Sequence, residues 1–76
     1  MSRLPRLADR EVLRVLKRAG FQVHRIRGSH HVLKQPTTGR RVVVPVHGET
    51  LAPKTLLSVL AAAGLSPEEF ERLRKG

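Results

Sequence analysis

Seventy-six residues with no cysteine, and with 15 Lys and Arg against 6 Asp and Glu, make a small, strongly basic chain of formal charge +9. A chain of that length forms one domain, 1–76, which buries only about 60% of its unfolded surface; without thiols it has neither disulfides nor thiolate metal sites, which suits a reducing cytoplasm. Its apolar runs fall far short of the roughly 20 residues that span a membrane, and the first residues lack the apolar region of a signal peptide.

Residues 1–8 read as a short arm punctuated by Pro5. Asp9 is a good N-cap, and Val12, Leu13, Leu16 and Ala19 recur at helical spacing until Gly20, which predicts a helix over 9–19. Arg10, Arg14, Lys17 and Arg18 then lie largely outside. Three strand-like segments follow, over 21–27, 30–35 and 40–46. Gly28 and Ser29 are a two-residue hairpin signal, the glycine supplying the positive φ of a type II′ turn. Residues 36–39 form a looser four-residue hairpin loop, and the β-branched run Val42–Val44 suits a strand. Residues 47–50 read as a loop. Pro53 fits the first turn of a second helix with Leu56, Leu57, Leu60 and Ala61 as its apolar stripe, stopped by Gly64. Ser66 and Glu69 resemble a capping box opening a short last helix through Phe70 and Leu73. The order α-β-β-β-α with a helical tail is an α+β layout, a three-stranded antiparallel meander with helices on one face.

If Gly28 and Ser29 are the two turn residues, Arg27 pairs with His30, Ile26 with His31 and Arg25 with Val32. Side chains alternate along a strand, so one face receives Arg25, Arg27, His30, Val32 and Lys34, and the other His24, Ile26, His31, Leu33 and Gln35. Extending the register across the second loop adds Arg41, Val43 and Pro45 to the first face and Val42, Val44 and Val46 to the second. The second face is apolar enough to carry helices and the first is basic; a one-residue slip would mix them. Phe21, Val23 and Val32 remain on the basic face in this scheme, without an assigned place. His30 and His31 point opposite ways, His30 to the basic side.

From Val12 to Gly48 the chain has eight Arg and Lys and no acid. Such a surface points first to nucleic acid, whose phosphates bind cations with counterion release. An acidic protein partner is the second possibility and a membrane surface a remote third. Only Phe21 and Phe70 are aromatic, so base stacking is not the recognition mode. A histidine on a phosphate-binding surface suggests RNA cleavage by acid–base chemistry, with His30 taking the ribose 2′-hydroxyl proton as that oxygen attacks the neighbouring phosphate. Arg25 and Arg27 would stabilise charge on the phosphorane. The plainer alternative makes His30 a polar residue ending a turn.

The acids lie mostly near the two chain ends, so no carboxylate cluster for a metal, and no acid to orient a histidine triad, is in view. His47 would fall on His30's face if the third strand stayed extended, as a second proton carrier or phosphate ligand, or it merely completes the loop. Lys54, in the first turn of the second helix, is a candidate phosphate contact.

Glu11-Val12, Ala19-Gly20-Phe21, Gly28-Ser29-His30-His31, Val44-Pro45-Val46-His47, Thr55-Leu56 and Ala63-Gly64-Leu65-Ser66 together resemble the HicA (YcfA-like) toxins of type II toxin–antitoxin systems, over about residues 9 to 70. The resemblance implies a double-stranded-RNA-binding-domain-like fold and a metal-independent endoribonuclease that needs no cofactor, cleaves mRNA and blocks translation. It also implies a HicB-type antitoxin as the neutralising partner. The histidine directly after Gly-Ser, here His30, takes the catalytic role, and Arg25, Arg27, Gly28, Ser29, Lys34, Arg41, His47 and Lys54 are the expected substrate-binding set. Lys54 departs from the glycine that the family often carries before Thr-Leu. The alternative is a non-catalytic RNA-binding module of the same fold.

Overall fold

The computed structural model describes residues 6–76; Pro5, expected to punctuate the arm, lies outside the described residues. Eight elements follow one another: β1 (Leu7–Ala8), α1 (Asp9–Arg18), β2 (Gln22–Arg27), β3 (His30–Lys34), β4 (Arg41–Pro45), β5 (Thr50–Leu51), α2 (Pro53–Ala63) and α3 (Pro67–Lys75). Strands β2, β3 and β4 form a three-stranded antiparallel sheet in that order, and β1 pairs antiparallel with β5. The architecture is α+β, consistent with a double-stranded-RNA-binding-domain-like fold.

The β1–β5 ribbon corrects the expected arm and loop. Leu7 lies opposite Leu51 and Ala8 opposite Thr50. The buried Leu51 supplies the reason, because a segment that contributes a core side chain must also satisfy its backbone groups. Helix α1 starts as expected, although Asp9 is not its cap: Ala8 occupies the N-cap without a side-chain hydrogen bond. Val15, missing from the predicted stripe, is buried with Val12 and Leu16. Pro53 opens α2 at its first turn and Gly64 closes it in the left-handed conformation. Ser66 and Glu69 form the expected capping box, each side chain accepting from the other's backbone N–H at 3.1 and 2.9 Å.

One core lies between the sheet and the helices, built from Val12, Val15, Leu16, Phe21, Leu33, Val42, Val44, Leu51, Leu56, Val59, Leu60, Ala63 and Phe70. The helical layer sits over β4, against which both α1 and α2 pack. Strand β2 is the outer strand, and every one of its residues is exposed. Ile26, expected on the covered face, is therefore 56% exposed. Its parity is right, but no helix reaches that far across the sheet.

Phe21 and Val23 are resolved by a β-bulge. Arg25 pairs with Val32 and Val23 with Leu33, leaving His24 as the extra residue. Two residues opposing one reverses the parity of everything before the bulge. Val23 joins the side of buried Leu33, and Phe21 enters the core at 2% exposure. Burying a phenylalanine is worth about 2–3 kcal/mol, which outweighs one disrupted rung.

Candidate active site

The turn at Gly28 and Ser29 sets the geometry of everything around it. Gly28 has φ of 57° and, among the described residues, no non-glycine residue has positive φ, the sign pattern of a type II′ turn. The Ser29 carbonyl accepts from the Val46 N–H at 2.6 Å, so the turn is also held by the chain leaving β4. Arg27 lies opposite His30, Ile26 opposite His31 and Arg25 opposite Val32, the register expected from the sequence. On the far side, His30 faces Pro45, His31 faces Val44 and Lys34 faces Arg41.

Cross-strand partners share a face. Val44 is fully buried against the helices, so His31 lies on the covered side and His30 on the open one. His30 is exposed, in the company of exposed Arg25, Arg27 and Arg41 and half-buried Lys34. Val32 and Val43 form the apolar floor of this face. Arg25, Arg27, His24, Val32 and Arg41 together surround a hollow of about 190 Å³. A second hollow of about 300 Å³ is lined by Gln22, Val23, His24, Lys34 and Pro36.

Three arginines of the helical layer are already engaged. Arg14 donates to the Glu11 carboxylate at 3.0 and 2.6 Å, and Arg74 to Glu71 at 2.9 and 2.7 Å. Arg18 reaches the C-terminal end of α3, donating to the carbonyls of Leu73, at 2.9 Å, and Gly76. By contrast Arg25, Arg27, Lys34 and Arg41 are in no ion pair among the described residues. The open sheet face is therefore a field of unneutralised donors, which is what an anionic chain of phosphates requires.

His31 is half-buried and floors a groove with Val46 against Arg10, Leu13, Arg14 and Lys17 of α1. Its Nδ1 is buried without a hydrogen-bond partner among the described residues.

His47 is carried differently from the sequence expectation. Strand β4 ends at Pro45, and the backbone bends over 47–49 instead of continuing extended. Asp9 causes the bend. Its Oδ2 accepts from the backbone N–H groups of His47, Gly48 and Glu49 at 2.7, 2.9 and 3.2 Å, and its own N–H donates to the Glu49 carbonyl at 2.9 Å. Burial alone would push the Asp9 carboxyl up; the N–H groups of Glu49, His47, Gly48 and Arg10 outweigh it and hold the carboxyl below its ordinary value. The His47 side chain stays exposed on that loop, and Lys54 is exposed in the first turn of α2, in the helical layer.

The structure thus brings His30, Arg25, Arg27, Lys34 and Arg41 onto one open face, next to the Gly28–Ser29 turn. It sets His47 on a separately anchored loop and Lys54 on a helix. Asp9 and His24 are placed differently from the sequence expectation. Nothing in the local pattern distinguishes the loop-holding Asp9 from an ordinary helix cap, whereas apolar residues on a basic face were a hint of the bulge at His24, which moves Phe21 and Val23 and leaves Val32 where it was. Among the described residues no three His, Asp or Glu side chains are grouped as ligands for a metal ion. An exposed imidazole within a cationic, donor-rich face can exchange a proton beside a bound phosphate and leave the new charge stabilised.

Residues 10–65 match the model of the family described as HicA toxin of bacterial toxin–antitoxin. No curated protein matches the chain.

Proposed function

This chain belongs to the HicA toxin family, and we propose that it is an endoribonuclease which cleaves mRNA and so blocks translation. The observation that carries this reading is His30, exposed on the sheet face that also holds Arg25, Arg27, Lys34 and Arg41, which form no ion pair among the described residues. His30 accepts the proton of a ribose 2′-hydroxyl. The freed oxygen attacks the adjacent phosphorus while the 5′-oxygen of the next nucleotide leaves and takes up a proton, giving a cyclic phosphate and a 5′-hydroxyl end. No metal enters this step. Arg25 and Arg27 neutralise charge on the phosphorane, Gly28 and Ser29 hold the turn that presents His30, and Lys34 and Arg41 bind the backbone further along. His47 and Lys54 add phosphate contacts from outside the sheet.

The family is the toxin half of a bacterial toxin–antitoxin pair. The partner we infer for this chain is a HicB-type antitoxin, with both acting in the cytoplasm. Among the described residues no helix is long and apolar enough to cross a membrane.

The experiment is RNA cleavage by purified His30→Ala protein with a chelator present throughout. Wild type should cut in chelator, and the variant should be slower by about 10²–10⁴-fold, the usual worth of a general acid–base group. A variant that cuts as fast as wild type, while still folded, leaves only the alternative of a non-catalytic RNA-binding module.

A further inference from the structure

His24 owes its position to the bulge. Counted back from the turn by strict alternation, it would share the helix side with Ile26. The extra residue instead places His24 and Arg25 together opposite Val32, and Val32 belongs to the open face. Bulges commonly re-aim a side chain in this way beside functional surfaces. His24 then lines both hollows, and is the residue they share. On one side of it stand Arg25, Arg27 and Arg41; on the other stand Gln22 and Lys34.

We propose that His24 is a substrate-contacting residue at the junction of two RNA subsites, and that it holds a nucleotide flanking the one cleaved. Arg25, Arg27 and Arg41 present only hydrogen-bond donors and fit a backbone phosphate. Gln22 and Lys34 present a mixed donor–acceptor amide and a single ammonium, which fit the sugar or base edge of the neighbouring nucleotide. His24 stands with Arg25 opposite Val32, two residues along β3 from His30. That position lies beside the nucleotide next to the one on which His30 acts. Its contribution is therefore to binding and register along the strand and not to proton transfer. The two hollows are lined by four cations and no carboxylate, which favours RNA over a protein segment as the occupant.

This inference rests on the reading of the chain as an RNA-cleaving enzyme, and its test separates the two. The probe is a short 2′-O-methylated RNA, which binds but cannot undergo attack by its own 2′-oxygen, titrated against wild type, His24→Ala and His24→Gln. Cleavage of the unmodified RNA is followed in parallel. The affinity of His24→Ala should be lower by about 5- to 10-fold, the worth of one polar contact. KM should rise by a similar factor with kcat within about twofold, and His24→Gln, which keeps a donor and an acceptor, should fall between the two proteins. His24 is exposed on the outer strand, so neither variant opens a cavity. Wild type that binds and cleaves beside a His24→Ala protein of unchanged Kd and KM overturns the subsite and leaves the ribonuclease reading intact. A fall in kcat alone also overturns it, because it would make His24 part of the chemistry. Wild type that binds no RNA overturns both.

Discussion

Asp9 holds the backbone of His47 from 38 positions away, its Oδ2 accepting the His47 N–H at 2.7 Å. The same oxygen takes the next two N–H groups, so a carboxylate only 1% exposed serves as the anion around which the loop closes. Three successive N–H groups converging on one oxygen form a nest of the kind that binds free anions, here filled by the protein itself. The loop bearing His47 is consequently a property of the α1 N-terminus.

Removing that anion should loosen the loop before it affects the core. Asp9→Ala should lower stability by about 2 kcal/mol, since charge-assisted bonds are lost and exposed N–H groups recover water. Asp9→Asn, which keeps an acceptor, should lose about half as much. Because the folded carboxyl titrates below its unfolded value of about 3.9, its stabilisation is complete above that pH and disappears as pH falls through the folded value. Urea denaturation at neutral pH and near pH 3 checks this: the gap between wild type and Asp9→Asn should narrow in acid.

The adjacent histidines should behave as opposites. His31→Ala removes a half-buried ring facing Val44 and should reduce stability by about 1 kcal/mol while leaving kcat near wild type. His30→Ala should do the reverse, with an unchanged melting temperature and lost cleavage. Thermal melts and single-turnover cleavage on both proteins distinguish the pair.

Gly28 sits at φ of 57° with open space around its Cα, so a methyl group there meets no atom and costs only backbone strain. Gly28→Ala should destabilise by about 1 kcal/mol. It should also slow cleavage, because His30 leaves the turn immediately after it. Equal rates for Gly28→Ala and wild type would show that the turn conformation is not needed to present His30.

Binding to RNA should depend steeply on salt. With about five phosphates neutralised, the logarithm of affinity should fall against the logarithm of salt concentration with a slope near −4. Arg25→Ala or Arg41→Ala should each make the slope shallower by about one. A flat response in wild type would remove the open sheet face as the RNA surface.

Much of this molecule is local and could be read locally. The hairpin register follows from one glycine in a two-residue turn, and because strand parity has a period of two, that register alone separates His30 from His31. The capping box at Ser66 and Glu69, the proline opening α2 and the glycine closing it are likewise near-neighbour effects, settled within one helical turn.

What the chain could not announce depends on partners distant in sequence. The reach of the helical layer is a matter of tertiary packing, so Ile26 carries the right parity for the covered face and yet lies bare. The β1–β5 ribbon and the grip of Asp9 on residues 47–49 join segments about 40 positions apart, and no periodicity encodes them. The bulge lies between these cases: the sequence by itself left Phe21, Val23 and Val32 without a place on a basic face, and only competition between core burial and one rung of the ladder decided that His24 would be the residue displaced. Local hydrogen-bond geometry determined the turn, the faces and His30; burial, which sums over the whole fold, decided what stands beside them.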